Sequence, residues 1–201
     1  MAKIKICGIT NLEDALAAVA LGADALGFVF YPGPHQVGPE TVRHIMANIP
    51  PMVTTVGVFA DQPLQYICMV RDYCGLDVVQ LQGQEAEEDT TQLGRRVIKA
   101  LDTQACAGPL ESSYPDCALL LAPQCTSRDK EAQANRSWDM AKDLARKRIL
   151  ILSHGLDTGN VLEAIRKVNP FGVDASISLE NEPGQKDRDK MAAFINQARA
   201  A

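Results

Sequence analysis

The chain has 201 residues, of which 46% are hydrophobic and 22% are charged, and its formal net charge is −5. This composition is that of an ordinary globular protein, and the length predicts one α/β domain over 1–201. The acidic balance argues against nucleic-acid or anionic-membrane binding and favours a small-molecule partner. No stretch reaches the ~18 uncharged apolar residues of a membrane span and no signal-peptide pattern is seen, so we expect a cytoplasmic protein. The six cysteines are scattered without a CxxC pair, which predicts reduced thiols.

The first part of the chain has the pattern of a strand followed by a helix. Lys3 to Cys7 (KIKIC) is typical of a strand, and the residues up to Gly22 are typical of an amphipathic helix. The apolar positions of that helix follow the i, i+3, i+4, i+7 spacing: Leu12, Ala15, Leu16 and Val19. Thr10 and Glu13 have capping-box spacing, and Gly22 stands where a left-handed residue commonly ends a helix.

The same alternation continues along the chain. Further strands are predicted at Ala25–Phe30, Met52–Phe59, Asp77–Leu81, Arg96–Leu101, Cys117–Leu121, Arg148–Leu152 and Phe171–Ser176. Further helices are predicted at Pro39–Met46, Pro63–Cys74, Ala86–Leu93, Trp138–Ala145, Val161–Val168 and Met191–Ala198. No clear helix follows the fifth strand in 102–115, and the polar segment 123–136 is predicted to be a mobile loop.

Eight strand signals over 201 residues correspond to about 25 residues per unit. This alternation predicts an α/β fold, a single (β/α)8 TIM barrel. The alternative is an open doubly wound sheet, which the same alternation permits. The first strand is not followed by GxGxxG, so a dinucleotide-binding version of that sheet is disfavoured.

In a barrel, the chemistry lies in the loops after the carboxyl ends of the strands. These positions are Cys7, His35 with Gln36, Phe59–Asp61, Gln82–Gln84, Ala122–Ser127, Ser153–Gly155 and Ser176–Ser178. A cysteine that ends a strand is more often inert packing than a working thiol, and a loop histidine is as often simply exposed. The SHG stretch from Ser153 precedes a predicted helix and could offer backbone N–H groups to a phosphate. The remaining histidine, His44, falls inside a predicted helix.

Several stretches of the chain resemble the phosphoribosylanthranilate isomerase family of tryptophan biosynthesis. They are KIKICGIT, ALGFVFYP, VGVF (Val56–Phe59), GLDVVQLQG (Gly75–Gly83), GVDAS and PGQKD (Pro183–Asp187). The likeness covers nearly the whole chain, in order. It implies a small (βα)8 barrel that performs an Amadori rearrangement of an aminoaldose phosphate to an aminoketose, without metal or cofactor. A monomer and a homodimer both stay open.

The resemblance assigns roles to individual positions. In that family the first-strand cysteine is the general base that removes the sugar C2 proton, and an aspartate after the sixth strand is the general acid that opens the ring. Cys7 matches the base, whereas Ala122 occupies the position of the acid. Asp139 or another loop carboxylate is the candidate replacement. The resemblance also implies three substrate-binding positions: His35, Gln82 and Asp174.

The chain departs from the family pattern at other ligand-facing positions. His35 stands where an arginine holds the anthranilate carboxylate, and Gln82 and Gln84 replace a histidine and an aspartate. The GGTG loop after the sixth strand has no counterpart in 123–135. The phosphate-binding positions are Ser153, His154, Gly155, Ser176, Ile177 and Ser178. Two of them, Ile177 and Ser178, carry side chains where the backbone normally approaches phosphate closely, while Asp174, Glu180 and Lys186 match the family.

Three functions follow as hypotheses. The first is an isomerase-like protein acting on N-(5'-phosphoribosyl)anthranilate, with activity weak or lost because a missing general acid alone costs about 10²- to 10⁴-fold. The second is a paralogue without isomerase turnover that binds a different small ligand. The third is a zinc site formed by Cys7, His35 and His154 with an open fourth position, although isolated Cys and His residues are usually structural.

Overall fold

The computed structural model describes residues 1–94, 96–101, 110, 112–121, 130–153 and 155–201, with the backbone alone for 130–137. The strands are β1 Lys3–Cys7, β2 Ala25–Val29, β3 Thr54–Phe59, β4 Val78–Leu81, β5 Val97–Leu101, β6 Ala118–Leu121, β7 Leu150–Leu152 and β8 Gly172–Ala175. The helices are α1 Leu12–Leu21, α2 Pro39–Met46, α3 Leu64–Cys74, α4 Glu87–Leu93, α5 Lys130–Ala145, α6 Val161–Val168 and α7 Arg188–Arg199. A 3₁₀ turn at Ile177–Leu179 leads into a short antiparallel pair, β9 Glu180–Glu182 and β10 Gln185–Lys186.

The eight strands β1 to β8 are all parallel and form a closed barrel in chain order. Closure is made by β8 pairing with β1, where Lys5 lies opposite Asp174. The predicted (β/α)8 barrel is therefore confirmed, and the open doubly wound sheet is wrong because an open sheet leaves two unpaired edges.

No helix in the described part of the chain has both the length and the apolarity needed to cross a membrane.

Side-chain alternation along each strand divides the core into two parts. On β1, Ile4 and Ile6 are fully buried among residues of the surrounding helices, while Lys5 and Cys7 face the barrel interior. The interior contains an apolar cluster from five other strand positions: Val56, Ile98, Ala100, Leu120 and Ile151. Branched side chains of this kind normally fill the barrel, so a lysine among them is unusual.

Of the two predicted ends of α1, one is corrected and the other is confirmed. The N-cap of α1 is Asn11, whose side chain accepts a 2.8 Å hydrogen bond from the backbone N–H of Asp14. Thr10 instead precedes the cap, and its hydroxyl donates to the Gly184 carbonyl in the β9–β10 turn. At the other end, Gly22 has φ +101° and ends α1 as predicted.

The segment 123–136 is not entirely a loop, because α5 begins at Lys130. The first half of α5 (KEAQANRS) consists largely of good helix formers but lacks the apolar periodicity that marks a helix in the sequence. The rest of the predicted loop, 123–129, lies outside the described residues. Other element boundaries differ from the predicted ones by a few residues. His44 lies in α2, as predicted, and is exposed.

Candidate active site

The Cys7 thiol lies inside the barrel at the carboxyl end of β1. Its residue is 7% exposed and packs with Val29, Val58 and the partly buried Tyr31. The opposite residue on β2 is Gly27. A Cβ atom at Gly27 would stand 2.7 Å from the Cys7 Sγ, so the sulfur lies directly against the β2 backbone. The position suits a group that acts on a ligand at the barrel mouth, although the thiol itself is largely buried.

An ion pair lies beneath this thiol. The Lys5 Nζ donates to the Asp174 Oδ1 at 2.8 Å, and both side chains are almost completely buried. The Ser153 hydroxyl, just past β7, donates to the other oxygen, Oδ2, also at 2.8 Å. Both oxygens of Asp174 are therefore engaged by protein groups, and three neighbouring strands contribute to the network.

The charges of this group act on each other in a definite direction. Burial by itself would lower the pKa of Lys5, but the attraction of Asp174 and Cys7 outweighs it and the net pKa is raised. Lys5 is therefore a fixed cation. Burial raises the pKa of Cys7, Lys5 acts to lower it, and Asp174 acts to raise it, with a net rise above the ordinary thiol value. Cys7 is consequently a thiol rather than a thiolate at neutral pH.

A second ionic cluster lies at the mouth beside Gly8. The His35 Nε2 lies 2.9 Å and 3.0 Å from the two carboxylate oxygens of Glu180, and the Lys186 Nζ donates to Oε1 at 2.6 Å. The His35 ring and the Ser176 hydroxyl both approach Gly8, the residue after Cys7. Partial burial would raise the pKa of Glu180, but hydrogen bonds from His35 and Lys186 outweigh it and hold the pKa below its usual range. His35 is thus anchored by a carboxylate.

Two glutamines line the β4 side. The Gln80 Nε2 donates to the Gln82 Oε1 at 3.0 Å, which orients the Gln82 amide at the end of β4. Gln80 is 2% exposed, and its Oε1 has no hydrogen-bond partner among the residues that the structure describes. Gln82 was predicted from the family pattern, whereas Gln80 was not.

The positions expected to bind phosphate lie after β7 and β8, which are neighbours in the barrel. Ser176–Ser178 turns into the 3₁₀ segment, with Ile177 72% exposed. The Ser178 hydroxyl donates to the Leu156 carbonyl at 2.7 Å and so joins the two loops. Gly155 has φ +73°, and its carbonyl accepts from the Asn160 side chain at 2.7 Å. Ser153 differs from these residues, since its hydroxyl points to Asp174.

Some predicted positions do not join the site or lie beyond the described residues. Asp139, the suggested replacement acid, lies on α5 in the helix layer and pairs with Lys167 of α6 at 3.2 Å, so this suggestion is wrong. Ala122 and His154 lie outside the described residues. Among the residues that the structure describes, no group of three His, Cys, Asp or Glu side chains could hold a metal ion.

Sequence reasoning also missed Lys5. Its signal was the second of the two lysines in β1, two positions before Cys7, which places it on the same face as Cys7.

Comparison with known proteins gives the family. The family model described as N-(5'phosphoribosyl)anthranilate (PRA) isomerase matches residues 4–197. The chain belongs to this family. The N-(5'-phosphoribosyl)anthranilate isomerase of Pelobacter propionicus is 45% identical over 202 residues, which cover 99% of this chain and 96% of the relative. The recognition from sequence motifs and the isomerase-like function in tryptophan biosynthesis are therefore confirmed at the level of the family.

Solved structures of the phosphoribosylanthranilate isomerase family have the same fold. The Thermotoga maritima enzyme has a TM-score of 0.86 and 38% identity, with complete coverage of both chains. A phosphoribosyl anthranilate isomerase in complex with reduced 1-(o-carboxyphenylamino)-1-deoxyribulose 5-phosphate matches with a TM-score of 0.81, 38% identity and complete coverage of both chains. A further structure concerns monomers generated from the dimeric T. maritima enzyme, at 37% identity, a TM-score of 0.81 and complete coverage of both chains.

Proposed function

We propose that this barrel catalyses the Amadori rearrangement of N-(5'-phosphoribosyl)anthranilate with Cys7 as the general base, at a rate well below that of a complete site. The observation that carries the proposal is the Cys7 thiol at the carboxyl end of β1, lying close to the buried Lys5 ammonium, in a chain of this family. The active domain is proposed to span 1–201, to lie in the cytoplasm, and to act as a monomer or homodimer.

The reaction requires two proton movements. Protonation of the ring oxygen breaks its bond to C1 and gives an open-chain iminium. A base then removes the C2 proton, and the resulting enolamine becomes the aminoketose when C1 is protonated and the C2 hydroxyl loses its proton. Cys7 in its thiolate form is proposed to take the C2 proton, since a thiol cannot accept one.

The weak point of the site is the acid. The resemblance puts the acid at position 122, which is alanine in this chain. Three buried or partly buried carboxylates described near the mouth are already engaged: Asp174 by Lys5 and Ser153, Glu180 by His35 and Lys186, and Glu85 by Lys99. Ring opening is therefore proposed to be slow, by about 10²- to 10⁴-fold relative to a site with an acid in place.

Substrate contacts are proposed at both sides of the mouth. The anthranilate end of the substrate is assigned to His35 and Gln82, since both residues follow strand ends and carry hydrogen-bond donors. Asp174 contributes to this end through the residues that it contacts. The phosphate is assigned to the loops after β7 and β8: Ser153, His154, Gly155, Ser176, Ile177 and Ser178. These loops are less open to phosphate than bare backbone would be, because Ile177 carries a side chain there and the Ser178 hydroxyl is already hydrogen-bonded. The affinity for the substrate phosphate is thereby lowered further.

Turnover measurements on three proteins test the proposal. Freshly generated phosphoribosylanthranilate is mixed with the wild type, Cys7→Ser or Ala122→Asp, and the loss of anthranilate fluorescence is followed. We expect slow wild-type turnover, no turnover with Cys7→Ser, and a faster rate with Ala122→Asp, by up to about 10²-fold or more.

Cys74→Ser is the matched control, because Cys74 is 6% exposed on α3, away from the mouth. Its turnover should equal that of the wild type. Wild-type turnover that survives Cys7→Ser would overturn the assignment of the base, and no turnover in the wild type and Ala122→Asp alike would overturn the proposed function.

A further inference from the structure

The ion pair inside the barrel takes no part in the proton transfers proposed above. Lys5 and Asp174 are buried to 5% and 6% side-chain exposure, next to an interior that is otherwise largely apolar. Removing two charges from water is expensive, and a buried ion pair is often no more stabilising than a well-packed apolar pair. The pair lies directly beneath Cys7, so its charges act on the thiol.

Lys5 and Cys7 are neighbours on one face of β1. They are two residues apart, so both side chains point into the barrel, and Gly27 on β2 leaves room for both. A Cβ atom at Gly27 would lie 2.7 Å from the Cys7 Sγ and 3.0 Å from the Lys5 Nζ. The ammonium is therefore close to the sulfur, while its hydrogen bond goes to Asp174.

Four charged or titratable groups face the thiol from the elements packed around it. They are Lys5 on β1, Tyr31 after β2, Asp174 on β8 and Lys186 on β10. Because the Lys5 charge is already balanced by Asp174, ionisation of Cys7 gives Lys5, Asp174 and Cys7 together a net negative charge. The cost of the thiolate thus depends on both members of the pair.

We propose that Lys5 and Asp174 are positioning residues that together set the proton affinity of the Cys7 thiol, with Lys5 favouring the thiolate and Asp174 opposing it. Ser153 fixes the Asp174 carboxylate by its hydrogen bond to Oδ2 and so holds the balance between the two. The catalytic meaning of this balance rests on the proposed function, but the balance itself is a property of the free protein.

The opposing effects agree with the direction of the pKa shifts. Burial is the largest contribution and raises the pKa of Cys7. Attraction from Lys5 lowers it, while repulsion from Asp174 raises it. Removing Asp174 should therefore lower the Cys7 pKa, and removing Lys5 should raise it further.

An NMR titration of cysteine labelled with ¹³C at Cβ tests this directly. The Cys7 resonance is assigned with Cys7→Ser, and its midpoint is measured in the wild type, Asp174→Asn, Lys5→Met and the double variant Lys5→Met/Asp174→Asn. We expect the midpoint to fall by about 1 to 3 pH units in Asp174→Asn and to rise in Lys5→Met, with the double variant between them. Ser153→Ala, which keeps both charges, should move the midpoint less than Asp174→Asn.

Cys74 in the same samples is the internal control. It is buried to nearly the same extent as Cys7, and burial is likewise the largest cause of its raised pKa, yet it lies on α3 in the helix layer. Its midpoint should not change in any variant. A Cys7 midpoint unchanged in Asp174→Asn, or a shift shared by Cys74, would overturn the proposal.

Two safeguards keep the test decisive. If Lys5→Met does not fold because it leaves Asp174 charged and buried, the comparison of Asp174→Asn with the double variant still isolates Lys5. The titration needs no substrate, so it separates this proposal from the proposed function. Absent wild-type turnover would reject the isomerase and leave the predicted midpoint shifts standing, whereas normal turnover with unshifted midpoints would reject only the role of the pair.

Discussion

Replacing Gly27 by alanine tests the packing around the Cys7 thiol. The added Cβ would lie 2.7 Å from the Cys7 Sγ, 3.0 Å from the Lys5 Nζ and 3.1 Å from its Cε. Favourable carbon contacts lie at about 3.5–4.0 Å, so the sulfur must move by roughly 1 Å. The end of a lysine side chain can move at little cost, but the Cys7 sulfur sits on a short side chain at the end of a barrel strand.

The expected cost has two parts. Overpacking of a well-filled interior destabilises by about 1–3 kcal/mol, and we expect Gly27→Ala to lower the free energy of unfolding by that amount. A displacement of about 1 Å in a catalytic group can cost about 10²-fold in rate, so isomerase turnover should fall as well. Urea unfolding followed by circular dichroism measures the first effect, and the fluorescence assay measures the second.

The Cys7→Ala background provides the matched control. Because Cys7→Ala removes the sulfur, Gly27→Ala should destabilise this variant less than it destabilises the wild type. The coupling free energy of this cycle should be within about 0.5–3 kcal/mol, as for other side chains in direct contact. Equal destabilisation in both backgrounds would show that the sulfur does not lie against Gly27, and the geometry of the site would be refuted.

Three further predictions concern pH and buried charge. Because the pKa of Cys7 is raised above its ordinary value, the turnover rate should rise between about pH 6 and 9, and a flat profile would contradict the role of the thiolate. Lys99→Met should lower the free energy of unfolding by about 3–5 kcal/mol in urea titrations, since it leaves Glu85 buried and charged without its 2.7 Å partner. Adding Glu85→Gln should recover part of that loss, and a full additive loss would count against the ion pair. The depressed pKa of Glu180 contributes stability that is present above the ordinary carboxyl pKa and is lost as pH falls through the folded value. The melting temperature should therefore decrease less steeply on acidification in Glu180→Gln than in the wild type. Parallel plots of melting temperature against pH would contradict the pairing with His35.

The site was only partly predictable from the sequence. Cys7, His35 and Gln82 were found because each lies at or after the end of a predicted strand. Cys7 matches a family motif, whereas His35 and Gln82 replace other residues at family motif positions. Lys5 was missed because neither lysine of β1 has an oppositely charged neighbour in the sequence that would mark it as buried. The Asp139 suggestion failed because that residue lies on α5 and pairs with Lys167 of α6. A replacement acid must be identified from its three-dimensional proximity to the site, because closeness to β6 in the sequence does not show that a carboxylate reaches the barrel mouth.

The β/α alternation, the order of its units and the family were determined by the sequence alone, because hydrophobic periodicity and short motifs are local properties. Closure of the barrel, the buried pair of Lys5 and Asp174, and the anchoring of His35 by Glu180 were decided by the tertiary structure. The paired residues are 169 and 145 positions apart along the chain. They meet only when β8 pairs with β1, and it is this distant pairing that brings a cation and a carboxylate under the thiol and sets the charge around it.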